Sequence, residues 1–149
     1  MTSRELHLVS VVPVAFLAVA VGHHPAVALP LVVGVLLPEL DALREETHRS
    51  WLVHTFLFPT LLYQAALRLD LLSVLPALAT TIHFLALGMG LHFLADYVYP
   101  REQTNPGAEW PVRPVGFSSP WGLLWLGISW AIQWYGYLAA AFLPWLAGV

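Results

Sequence analysis

The chain alternates long apolar runs with short clusters of charge. Residues 6–38, 50–67, 71–95 and 114–149 contain no Asp, Glu, Lys or Arg. A helix needs about 20 apolar residues to cross about 30 Å of hydrocarbon, so these runs read as membrane spans rather than as core helices of a soluble domain. The first run would be about 50 Å long as one helix at about 1.5 Å per residue. Gly22-His23-His24-Pro25 is its natural break. The pattern therefore predicts helices over 5–21, 26–40, 50–69, 73–99 and 120–146, the last announced by Ser118-Ser119-Pro120, with cap donors ahead of a first-turn proline. The proline-rich stretch between Pro100 and Ser119 is the only long polar loop. The expected fold is all-α: an integral membrane bundle of four to five short transmembrane helices, forming a single domain over 1–149.

Composition sharpens this picture. Of 149 residues 58% are hydrophobic and only 10% charged, against roughly a quarter charged in an ordinary soluble domain. A chain this apolar has too little polar surface to coat a core in water. The net charge of -3 carries no basic stripe for a phosphate backbone, which excludes nucleic acid as a partner. With no cysteine there is no thiolate chemistry and no Cys-based metal site, so any metal must be held by His and carboxylates. With five spans, Arg4, Arg44, Arg49, Arg101 and Arg113 share one side and Arg68 takes the other, which predicts a cytoplasmic N-terminus. Trp110, Trp121 and Trp125 suit an interfacial belt on that side and Trp145 on the far side, with Trp130 and Trp134 expected in helix packing. A cleavable leader ending near Ala18-Val19-Ala20 is the competing reading of the first helix.

Ionisable groups inside membrane spans are costly and mark sites or paired clusters. In the five-span topology His7, Asp41, His48, His54, His92 and Asp96 all fall at the cytoplasmic end. His92 and Asp96 are one turn apart on a single helix face, able to present two ligands to one ion. Imidazole and carboxylate bind zinc at about 2.0–2.2 Å, and three protein ligands with an open position define a catalytic site. The six suit one divalent metal, zinc being the expected ion, with supporting partners, or two ions bridged by a carboxylate. Arg49 offers planar donors to developing negative charge, and Glu39 is either an acceptor behind the ligands or an exposed helix-end charge. His83 is rotated to the opposite face and about 13 Å deeper, which makes it a packing or polar-contact histidine. His23 and His24 are expected to be solvated in the opposite turn.

Leu37-Pro38-Glu39-Leu40-Asp41, His48-Arg49-Ser50 with His54-Thr55, and His92-Phe93-Leu94-Ala95-Asp96 resemble the YdjM-like family of membrane-bound metal-dependent hydrolases. That family carries an N-terminal His, L-P-D-x-D, H-R-G-x-T-H-S and H-x-x-x-D in this order. The resemblance implies His7, Asp41, His48, His54, His92 and Asp96 as metal ligands, with His48 as ligand or acid/base and Arg49 beside it in catalysis. Glu39 replaces the family's first Asp, Ser50 its Gly and Val53 its Thr, and one extra residue separates the two central histidines. The ligand order is also similar to that of zinc-dependent phospholipase C. Together these imply hydrolysis of a lipid or lipid-linked phosphoester by metal-activated water, in a prokaryotic plasma membrane with the site facing the cytoplasm. Two other readings fit the same residues: a non-catalytic membrane subunit tied together by its His/Asp cluster, and a small metal or proton transporter.

Overall fold

The computed structural model describes residues 4–43, 51, 53–98 and 121–148. Helix α1 spans Arg4–Ala20, and the chain reverses at Gly22, whose φ of 98° is open to glycine at little cost. His24 then caps the return, its Nδ1 accepting from the Ala26 N–H at 3.1 Å, and a 3₁₀ turn over Pro25–Val27 leads into α2, Ala28–Leu36. A 3₁₀ segment, Leu37–Leu43, follows directly. Helix α3 covers Leu57–Arg68, the short α4 Leu71–Val74 and the central α5 Pro76–Val98. The last helical stretch runs without a break but changes its winding: α6 over Trp121–Gln133, a π-helical segment over Trp134–Phe142, and α7 over Leu143–Ala147.

The described residues are all-helical, with no strand among them. One described helix, Pro76–Asp96, is long and apolar enough to cross a membrane, while His7–Ala20 and Pro25–Leu40 are shorter apolar helices. The all-α expectation holds among the described residues, and of the four to five expected spans one described helix, α5, has the spanning length.

Helix α5 runs between two cores. On one side Phe84 joins Val11 and Ala18 of α1 and Leu31 and Val35 of α2. On the other, Ile82 and Ala86 pack against Ala66, Tyr137, Leu138 and Phe142. A helix used on both faces needs no polar stripe, which is why its sequence reads as evenly apolar. Helix α1 buries His7, Val11 and Ala18 and turns Val9, Val12 and Phe16 outward.

The closest packing is between α2 and α5. A Cβ placed on Gly34 would lie 2.0 Å from the Leu85 carbonyl oxygen, and one on Gly88 would lie 2.2 Å from that of Leu31. The two backbones touch, as small residues allow.

Three expectations change. His23, expected in solvent, is half-buried with its ring edge-on to Phe84 at 5.0 Å, because the tight turn folds it back onto α5. Trp145 stacks on His83 at 4.9 Å, where an interfacial position was expected. Trp130 and Trp134 are exposed, because the buried face of the last rod is Ser129, Gln133 and Tyr137.

Candidate metal centre

At the C-terminal end of α5, His92 and Asp96 meet His7 from the first turns of α1. One ligand atom from each of these three lies within 4.8 Å of the others. His7 and His92 are buried and their rings stack at 4.1 Å, while the Asp96 side chain keeps 19% exposure. The carboxylate divides its oxygens: Oδ1 is 3.4 Å from His7 Nε2, and Oδ2 is 3.5 Å from His92 Nε2. Glu39 enters from the 3₁₀ segment, its Oε1 3.6 Å from His7 Nε2.

The orientation of His92 is fixed from behind. Its Nδ1 is 3.0 Å from the carbonyl oxygen of Val35, in the last turn of α2. A carbonyl only accepts, so Nδ1 carries the hydrogen and a neutral ring turns the Nε2 lone pair toward Asp96. A carboxylate also only accepts, so with a neutral ring His92 Nε2 and Asp96 face each other as two acceptors, a pairing that either a proton or a metal ion between them would satisfy.

Two further observations test whether the donor set fits a metal. The His7 and His92 separations from Asp96 exceed the roughly 2.7–2.9 Å of a charge-assisted hydrogen bond. They match the edge of about 3.4 Å between neighbouring ligands around a tetrahedral ion with bonds of about 2.0–2.2 Å. His7 Nδ1, meanwhile, is buried with no hydrogen-bond partner among the described residues. Leaving a buried polar atom unpaired costs about 1–3 kcal/mol, a cost that an ion on His7 Nδ1, but not one on Nε2, would remove. His7, His92 and Asp96 could together hold a metal ion.

His54 approaches from the turn before α3. Thr55 sets that turn: its hydroxyl donates to the Trp51 carbonyl at 2.6 Å and accepts from the Leu57 N–H at 3.2 Å. The His54 ring stands edge-on to His92 with centroids 5.5 Å apart. The structure thus brings together four expected site residues, with His7, His92 and Asp96 in the ligand group and His54 beside it. The side chain of Asp41, and His48 and Arg49 entirely, lie outside the described residues.

By its place in the sequence Glu39 suits either a supporting acceptor or an exposed charge, and the fold decides for the first. Its side chain is 10% exposed and turned inward. The signal was its place as the first carboxylate after Leu37-Pro38, where the resembling family has Asp.

The deeper histidine has different company. His83 Nδ1 is 2.9 Å from the Tyr137 hydroxyl, and its ring is stacked by Tyr137 and Trp145. The expectation of a packing histidine holds there. No protein-family model matches the chain, and no similar curated protein or solved structure was found.

Proposed function

We propose that this chain is an integral membrane, metal-dependent hydrolase of YdjM-like type, acting on a phosphoester of a lipid or lipid-linked substrate. The observation that carries the reading is the convergence of His7, His92 and Asp96 within 4.8 Å, with His92 already turned so that Nε2 is free to ligate. These three would hold the ion. A divalent ion in such a site polarises a substrate oxygen and lowers the pKa of a coordinated water to about 7.

The chain's own groups divide the remaining work. Glu39 Oε1, beside His7 Nε2, is placed to accept the proton released by a reacting water. Asp96 is the ligand most open to solvent. His54 and Phe93 close the side of His92 with their rings and keep water from that edge. Asp41 and His48 keep their expected parts as further ligands, His48 alternatively as acid/base, and Arg49 its part as clamp for negative charge.

The outward apolar residues of α1 and the apolar length of Pro76–Asp96 support a lipid environment. A site at the end of α5 then lies at headgroup depth, reached by a substrate from the leaflet. The N-terminus and site are assigned to the cytoplasmic side, following the arginine distribution.

Metal analysis of protein purified in detergent without chelators tests the reading. One or two equivalents of a divalent ion, zinc foremost, are expected, together with hydrolysis of phosphoester lipids that stops on chelation. Metal-free wild type that stays metal-free after incubation with zinc overturns it.

A further inference from the structure

We infer that Gly34 and Gly88 are positioning residues of the metal centre: their backbone contact brings the Val35 carbonyl onto His92 Nδ1 and so decides which His92 nitrogen is left to ligate. This rests on the metal reading above and adds the device that prepares the ligand.

The argument begins with the helix end. The last carbonyls of an α-helix lack the partners of those in its interior, and Val35 sits in the final turn of α2. Pro38, three residues on and buried, has no N–H with which to close a 3₁₀ bond on Val35. The carbonyl is therefore disposed to take a donor from outside α2. His92 supplies it at 3.0 Å, but only because α5 is close enough.

That closeness depends on two missing side chains. Gly34 directly precedes Val35, and Gly88 lies about one turn before His92 on α5. The obstacles to a Cβ at either position are backbone atoms: Leu85 O at 2.0 Å for Gly34, and Leu31 O at 2.2 Å and Val35 N at 2.9 Å for Gly88. No rotamer change relieves such contacts, so a methyl group must push the helices apart, by far more than a hydrogen bond tolerates. His92 would then lose its anchor and be free to carry its one hydrogen on Nε2 instead, the atom that faces Asp96.

Gly90 provides the control. A Cβ there meets nothing closer than a Phe56 ring carbon at 3.5 Å, an ordinary contact. The same Gly→Ala change, on the same helix and near the same site, leaves the crossing alone.

The experiment combines zinc affinity with ¹⁵N spectra of histidine-labelled protein in detergent, the His92 signal being assigned by its loss in His92→Ala. Metal-free wild type is expected to show His92 as the Nδ1–H form. Gly34→Ala and Gly88→Ala are expected to lose 10–100-fold in zinc affinity, the range for removing a ligand's hydrogen-bond partner, and to move the proton toward Nε2. Gly90→Ala should stay within about 3-fold of wild type. Unchanged affinity and tautomer in a folded Gly88→Ala protein overturn the inference. If neither variant folds, the wild-type spectrum still decides, since an Nε2–H form of His92 overturns it alone. A wild type that binds no zinc yet shows the Nδ1–H form overturns the metal reading while leaving the tautomer lock in place.

Discussion

His83 and His92 sit on the same helix, both buried, and both use Nδ1 in a hydrogen bond, yet their surroundings differ in kind. The partner of His83 is a tyrosine hydroxyl, and aromatic rings cover its faces. Behind His92 is a backbone carbonyl, beside it another imidazole, and a carboxylate oxygen lies 3.5 Å from Nε2. A hydroxyl can donate or accept, so the His83 pair is satisfied in either tautomer. The carbonyl at His92 allows one tautomer only and leaves a lone pair aimed at acceptors. Burial is common to both histidines; what separates a packing residue from a ligand is whether the groups around it can satisfy one another without a cation.

Substitution can break this contrast or sharpen it. His92→Ala and Asp96→Ala should each weaken zinc binding by about 100-fold or more, exceeding the roughly 10–100-fold of an outer partner. Isothermal titration of detergent-solubilised protein measures this, and His83→Ala should bind zinc as wild type does. An equal loss at His83 would remove the distinction between the two ends and favour the transporter. Next in size, Glu39→Gln should keep zinc within about 3-fold while lowering kcat about 100-fold, as expected for loss of a proton acceptor. A matching loss of zinc would instead make Glu39 a ligand. His83→Ala should lower thermal stability by about 2 kcal/mol, through a cavity and an unpaired Tyr137 hydroxyl, read from a melting curve. Tyr137→Phe, which removes only the hydroxyl, should cost about 1 kcal/mol in the same measurement and leave zinc affinity unchanged.

Charge-free runs and turn residues made much of the helical layout legible. Helix α1 and the reversal at Gly22 fall where the pattern put them. Helix starts follow the prolines rather than the edges of the apolar runs. Pro59 lies in the first turn of α3 and Pro76 opens α5, positions whose N–H needs no helical partner. Expected starts at 50 and 73 would have placed both prolines inside a helix. The π-helical segment had only an indirect signal in Pro144, just beyond it, which interrupts the bonding of the preceding turn. Its altered winding leaves the Gly136 carbonyl to accept from Gln64 Nε2 at 2.5 Å.

At the site, spacing revealed the His92 and Asp96 pair because one turn of helix suffices to align it. The meeting of His7 with that pair followed from the hairpin topology. The tautomer lock was not legible, because it depends on a backbone carbonyl and on two glycines whose importance appears only when α2 and α5 touch. Glu39 was ambiguous for a similar reason: whether a helix-end carboxylate turns in or out is set by the winding of Leu37–Leu43, not by its neighbours in sequence.

Helix α5 also acts as a shared lever. His83 and His92 lie about 13 Å apart along one rod, flanked by packed helices, so neither can be displaced axially without moving the other. An axial shift of the rod would therefore register at both ends, whereas deleting one ring, which leaves the rod where it is, stays a local event.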